Sequence, residues 1–356
     1  MEGKSATVSG PSILFLPDGG PRIGGGHVMR CLTLAQALEA RGARCTFVAS
    51  PFTAALLDRF APASIRRRPA ADESSESTLK TAVGATVDSD AVVFDHFRLG
   101  AVDHARLRGG DRILMAIDDL ADRALDVDLL LDPGPGRRAE DYAGRLLSGA
   151  RLLAGADWAL VRAEFEALRE AALARRARGG PVERVLVSLG LTDVGGITAL
   201  VVNRLLPRLG EAGLDVVVGR DATSLPALER LAARDGRVAL HVETTSMAAL
   251  CADADLAVGA GGSSLWERCT VGLPGVLVVL ADNQVPGSAA AERAGAAVVA
   301  DARATDFDAA LDRAFTGLMR SAERRGRLSR AATALCDGRG AERAADALLA
   351  AVAAKA

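Results

Sequence analysis

The sequence predicts an α/β protein of two Rossmann-like domains, each a parallel sheet covered by helices on both faces, with a cleft between them. Three observations predict it. Short apolar runs alternate with amphipathic segments from end to end, the pattern of strands buried on both faces by crossover helices. The 356 residues exceed one ordinary core and suit two. A charged stretch running into Gly-Gly-Pro, RRARGGPVE over 175–183, interrupts the alternation near its middle. The boundary is placed there, giving an N-terminal domain over 1–178 and a C-terminal domain over 179–356.

In the first half the strands read ILFL (13–16), CTFVA (45–49), AVVFD (91–95), ILMAI (113–117) and DLLLD (128–132). After the first comes HVMRCLTLAQALEARG, where Val28, Leu32, Ala35 and Leu38 recur at helical spacing and Gly42 supplies the stop. The second half reads RVLVSL (184–189), DVVVG (215–219), VALHV (238–242), DLAVG (255–259), GVLVVL (275–280) and AAVVA (296–300). From Phe307 onward the chain is helical and Ala/Arg-rich, read as a packing helix pair. Arg66, Arg67 and Arg68 read as a solvated strand end.

Composition narrows the partners. A net charge of −2 advertises no affinity for nucleic acid or an anionic surface. One Tyr and two Trp give no platform for stacking bases. No apolar run approaches the roughly 20 residues that cross a bilayer, so no membrane insertion is expected. The opening MEGKSATVSGPSILFL has no cleavable apolar region, which points to the cytoplasm. Five scattered cysteines without a CxxC pair suggest neither disulfides nor zinc. No two histidines have metal-ligand spacing, and neither metal nor cofactor is expected. His104 reads as part of a solvated helix, and His241 as a strand end beside the cleft.

Two glycine loops carry the chemistry. In PRIGGGHVMRC (21–31), no lysine follows Gly24, Gly25 or Gly26, so the loop is not a P-loop. Met29 stands where a dinucleotide fingerprint from Gly24 needs glycine or alanine. The glycines still let a ligand approach the free N–H groups of a helix start. That end disfavours a second positive charge, so a neutral His27 facing a cleft is a candidate general base; a packing or capping role fits the local sequence equally. In the second half Gly261, Gly262, Ser263 and Ser264 open another helix, a place suited to a diphosphate. Glu267 follows within that first turn, where it could accept from a ribose diol or simply complement the helix dipole. SLGLTDVGG (188–196) offers Gly190 for close approach to phosphate, and Thr192 and Asp193 as caps.

Together these stretches resemble the UDP-sugar hydrolases of the pseudaminic acid pathway, which cleave UDP-2,4-diacetamido-2,4,6-trideoxy-β-L-altropyranose to the free sugar and UDP. The resemblance begins at RIGGGHVMRCL and runs in order through VVFDHF (92–97), AIDDLADR (116–123), DLLLDPG (128–134) and GADWALVRAEF (155–165). It continues with SLGLTD (188–193), GAGGSSLWE (259–267) and LADNQ (280–284), spanning about 12–300. It implies a GT-B-like fold with UDP held mainly by the C-terminal domain. It also implies His27 as the base that activates water at the anomeric carbon, with inversion and without a metal. Asp18, Asp95 and His96 would stand on the sugar side, with Asn283 and Gln284 reaching toward sugar and diphosphate. Ser246 and Met247 would meet the uracil through their backbone. Two departures stand out. Phe97 replaces the family's tyrosine and has no hydroxyl to offer, and Leu191 occupies a position that is more often glycine.

The expected ligand is thus a UDP-sugar, bound by a monomer. Two other readings stay open: a GT-B glycosyltransferase with a hydroxyl acceptor in place of water, and a nucleotide-sugar binder without catalysis. A transferase would be marked by an apolar or amphipathic basic docking segment in the N-terminal half, and the arginines at 66–68 lack apolar partners.

Overall fold

The computed structural model describes residues 10–21, 23–146 and 149–355. The first nine residues, on which part of the N-terminal reading rests, and Arg22 of the glycine motif lie outside the described residues.

The N-terminal sheet is built from β1 (Ser12–Pro17), β2 (Arg44–Ala49), β3 (Arg66–Pro69), β4 (Ala91–Asp95), β5 (Ile113–Ile117), β6 (Leu129–Asp132) and β7 (Arg151–Ala154). All its pairings are parallel, in the order β3-β2-β1-β4-β5-β6-β7. The crossovers carry α1 (Gly26–Glu39), α2 (Pro51–Phe60), α3 (Ser75–Ala85) and α4 (Ala101–Leu107), and α5 (Ala163–Ala177) leads out of the domain. Strand order reverses beside β1, so β1 and β4 end next to each other with Pro17 opposite Asp95. That is the switch point where open parallel sheets bind ligands.

The C-terminal sheet comprises β8 (Arg184–Ser188), β9 (Gly213–Val218), β10 (Val238–Val242), β11 (Leu256–Ala260), β12 (Gly275–Val279) and β13 (Val298–Asp301). It is also parallel, in the order β10-β9-β8-β11-β12-β13. Its helices are α6 (Ile197–Leu205), α7 (Leu225–Ala232), α8 (Met247–Asp253), α9 (Ser264–Thr270) and α10 (Val285–Arg293), then α11 (Phe307–Arg320), α12 (Ala322–Leu335) and α13 (Gly340–Ala353).

Every strand read from the sequence is present. The two missing from the apolar runs, β3, whose arginines were read only as a solvated strand end, and β7, are the outer strands of their sheet. Edge strands are flanked on one side only, so they need no continuous apolar run: β3 reads RRRP, with a charge row and a proline suited to an unpaired edge.

The packing does not follow a linear cut at 178. Phe165 and Ala172 of α5 are buried in the C-terminal core with Met247, Trp266 and Ala332. In return Ala341, Ala344 and Leu348 of α13 pack with Ile13, Val28 and Leu34 in the N-terminal core. Amphipathic spacing shows which face of a helix is buried, but not against which sheet. The tail accordingly holds three helices rather than a pair, and the third crosses back. The domains are further tied by Arg59 of α2, which ion-pairs with Glu243 beyond β10.

Candidate active site

Asp95, the last residue of β4, is fully buried beneath the start of α1. His27, in the first turn of α1, places Nδ1 2.6 Å from Asp95 Oδ1. Arg30, one turn further on, grips the same carboxylate with both edges of its guanidinium: Nε donates to Oδ2 at 2.5 Å and Nη2 to Oδ1 at 2.6 Å. Its remaining nitrogen, Nη1, donates to Asp119 Oδ2 at 3.0 Å. Burial alone would push the Asp95 carboxyl upward, but Arg30 and His27 outweigh it and hold the group well below the usual carboxylate range.

An ionised carboxylate only accepts, so His27 carries its proton on Nδ1 and leaves the Nε2 lone pair free. Nε2 has no hydrogen-bond partner among the described residues and is not sealed from solvent. The arrangement is an oriented base: the carboxylate fixes ring and tautomer, and the far nitrogen can take a proton. Phe97 meets the His27 ring edge-on, with centroids 4.4 Å apart at 83°. Where the family resemblance leads one to expect a hydroxyl, this chain has an apolar wall that holds the imidazole.

The facing loop belongs to the C-terminal domain. The N–H groups of Gly262, Ser263 and Ser264 donate to no acceptor among the described residues. Ser263 precedes α9 without its hydroxyl capping the helix, and the hydroxyl too has no partner among the described residues. This loop is supported from behind by Arg268, which is 4% exposed. Its guanidinium donates to Ala260 O at 2.7 Å and to Ser264 Oγ at 3.1 Å. A Cβ at Gly259 would stand 2.4 Å from Arg268 Nη1, which explains the glycine there. Arg268 has no carboxylate partner among the described residues, so its buried charge lies under the loop without a matching anion.

The two glycine loops meet across the cleft. A Cβ at Gly24 would lie 3.7 Å from Thr192 Oγ1, and one at Gly26 3.8 Å from Ser263 Oγ. Gly24 itself has φ +82, a conformation that glycine adopts without strain. Beside this contact opens a cavity of about 290 Å3, lined among others by Arg30, Asp119, Arg137, Trp266, Asn283 and Gln284. Gly261, Gly262 and Ser263 border it too. Gln284 is partly occupied, its Oε1 accepting the Leu280 N–H at 2.9 Å.

Several expected residues stand differently. Asp18 and Asp95 do not present their carboxylates to a sugar: both are buried, and Asp18 Oδ1 accepts from the Gly19 N–H and from Arg98. His96 is also buried, and its Nδ1 accepts the Arg98 N–H at 3.2 Å. Burial lowers its pKa to about 4, so the ring is neutral with Nε2 as its donor. Asp193 caps α6 as expected and is closed to a ligand: it is fully buried, and its two oxygens accept from Thr198 N–H and Ser224 N–H. Gly190, at φ +103, leaves open space beside the backbone. Met247 packs in the core, leaving only its backbone for a ligand, and Ser246 is exposed just before α8.

Glu267 is not free: its Oε1 accepts from Arg162 Nε at 2.7 Å. His104 is the plainest correction. It is 1% exposed, packed on Phe94, with both ring nitrogens unpartnered, so α4 turns this histidine inward. His241 pairs with buried Asp215 at 2.8 Å, which Arg184 also holds.

Arg30, Asp119, Arg137 and Arg162 were not singled out in the sequence. The signal for Arg30 was present, three residues after His27 and so on the same helical face. Asp119 and Arg162 lie within stretches that carry the resemblance, AIDDLADR and GADWALVRAEF, but nothing local marks them as partners of distant residues. Among the described residues no three His, Cys, Asp or Glu side chains gather as a metal site requires. Among the described residues no helix is long and apolar enough to cross a membrane.

No protein-family model matches the chain, and no match was found among curated proteins. Solved structures do share its fold. MurG from Acinetobacter baumannii is 17% identical, with a TM-score of 0.64, covering 95% of this chain and 99% of its own. A UDP-glucosyltransferase from Polygonum tinctorium is 15% identical, with a TM-score of 0.65, covering 98% of this chain and 100% of its own. MnaA of S. aureus, in a co-structure with UDP, is 11% identical, with a TM-score of 0.61, covering 94% of each chain. The chain therefore has a GT-B-like fold of two parallel-sheet domains.

Proposed function

We propose that this protein is a UDP-sugar enzyme in which His27, oriented by Asp95, takes the proton from a nucleophile that attacks the anomeric carbon. The observation that carries the reading is the His27–Asp95 pair with its free Nε2, set opposite a loop whose unpaired N–H groups suit a departing diphosphate. The Glu267 oxygen not held by Arg162 is available to the ribose. The leaving UDP accumulates negative charge as the glycosidic bond breaks. The donors of Gly262, Ser263 and Ser264, backed by buried Arg268, stabilise that charge where it develops.

Two nucleophiles fit this machinery. A hydroxyl acceptor, making the enzyme a glycosyltransferase, is favoured by the fold it shares with a UDP-glucosyltransferase. Water, making it a hydrolase, is favoured by the ordered stretches from RIGGGHVMRCL to LADNQ. The substrate of that second reading is UDP-2,4-diacetamido-2,4,6-trideoxy-β-L-altropyranose. A proton NMR time course of the purified protein with this compound, first alone and then with candidate hydroxyl acceptors, separates them. Free sugar and UDP appearing together without acceptor establish hydrolysis. UDP released only with an acceptor establishes transfer. Binding of UDP with no turnover of any UDP-sugar overturns the enzymatic reading.

A further inference from the structure

The arginine run that the sequence marks as a strand end forms part of a concave site at the β3 edge of the N-terminal sheet. In parallel pairing Arg44 stands opposite Ser12, and Thr46 lies between Leu14 and Arg66. Side chains two apart share a face, so Arg44, Arg66 and Arg68 all project on the face that α3 covers. They line a groove of about 530 Å3 whose floor includes Leu14 and Thr46, and whose rim is Ala85, Asp88 and Ser89 at the end of α3.

The charges in this groove are unbalanced. Arg67, on the other face of β3, is matched by Asp58. Arg44, Arg66 and Arg68 form no ion pair among the described residues, although Asp88 lies on the rim. Asp90 is spent on the Ser12 N–H at 2.7 Å. Arg44 Nε is buried without a hydrogen-bond partner among the described residues, an uncommon state for a guanidinium nitrogen. Keeping strands from pairing edge to edge requires charge on β3 alone. It accounts neither for Arg44, which lies on the inner strand β2, nor for the concavity.

We propose that this groove binds a phosphate-bearing anion, with Arg66 and Arg68 gripping its oxygens from the edge and Arg44 from the floor. Guanidinium forks match phosphate oxygens in pairs, and three of them line this one groove with one carboxylate on its rim. The site is separate from the catalytic cleft. Ser12 and Arg44 stand at the starts of β1 and β2, roughly 15–20 Å along β1 from Pro17 and Asp95, and Arg66 and Arg68 stand on β3, with β2 and β1 between that edge and β4. The inference does not depend on the chemistry assigned to the cleft.

Calorimetric titration with inorganic pyrophosphate, in the presence of saturating UDP to occupy the cleft, tests it. The wild type should still bind, and Arg66→Gln/Arg68→Gln should bind about tenfold more weakly or not at all. Both changes lie on exposed edge positions, and melting curves check that the fold survives. The arginine dependence reads the groove whether or not UDP occupies the cleft. Co-sedimentation with vesicles of equal parts phosphatidylglycerol and phosphatidylcholine supplies the second arm. Arginine-dependent sedimentation assigns the phosphate to a lipid headgroup, and pyrophosphate binding without sedimentation assigns it to a soluble ligand. Pyrophosphate and vesicle binding that are both absent, or both indifferent to the two arginines, overturn the proposal.

Discussion

At the scale of single residues, the chemistry sits in side chains whose partners are far away in sequence. His27 stood out because it follows three glycines at a helix start, although a packing or capping role fitted the local sequence equally well. Its partner Asp95 was named through the family resemblance as a residue of the sugar side and not as the partner of His27, since nothing local says that a carboxylate 68 positions away will meet Nδ1. His104 was misread for a related reason: a short polar helix looks solvated until Phe94 is seen beneath it. Its burial has a measurable consequence. Burial lowers the pKa of His104 to about 4, with Arg123 and Arg108 adding to the effect and Asp103 and Asp126 opposing it. In the unfolded chain the ring protonates near about 6.5. Between those values the unfolded state takes up the proton, so stability is fully present above the unfolded value and is lost as pH falls toward the folded one. His96 adds to the same slope. His104→Leu should therefore flatten the fall in melting temperature between about pH 7 and pH 5, read by thermal denaturation at each pH. An unchanged slope would mean that His104 takes its proton in the folded state without cost.

Phe97 makes a second residue-scale test. If its main work is to wall the imidazole, Phe97→Ala should lower turnover by about tenfold or more while leaving UDP affinity nearly unchanged, because only the base loses its support. Parallel kinetics and binding measurements check this.

At the scale of elements, apolar runs located the interior strands because parallel strands are covered on both faces and carry their own signal. The edges β3 and β7 escaped because one flank lacks a neighbour and the residues there answer to solvent. The glycine loops were legible as loops, but what stiffens them was not. Arg268 looks like an ordinary surface arginine of a helical segment, and the structure buries it under the β11–α9 turn. Arg268→Met should leave Ala260 O without its donor, costing about 1–3 kcal/mol in stability. The loosened loop should also weaken UDP binding several-fold, measured by denaturant titration and by calorimetry. Arg268→Lys keeps the charge but not the fork, and should fall between the two.

At the scale of the whole molecule, two domains and a cleft were legible from length and alternation, whereas the exchange of helices was not. α5 and α13 leave their own halves and cross to the other, so the N-terminal domain is completed by the last helix of the chain and the C-terminal domain by the helix that precedes its first strand. Leu348 is the clearest probe, fully buried in the N-terminal core although it belongs to the last helix. Leu348→Ala should destabilise the protein by about 2–5 kcal/mol. Hydrogen exchange should show the loosening in β1, β2 and α1 rather than in β8–β13. Loosening confined to the C-terminal sheet would contradict the crossing.

The claim on which the account turns is that His27 acts in chemistry and not in nucleotide binding. It is tested by measuring UDP release from the competent UDP-sugar and UDP affinity side by side, for the wild type and His27→Gln. Turnover should fall by about 100-fold to 10,000-fold, with the dissociation constant for UDP shifted by no more than about threefold. Equal losses in both, or turnover that survives the change, would contradict the assignment of His27 as the base.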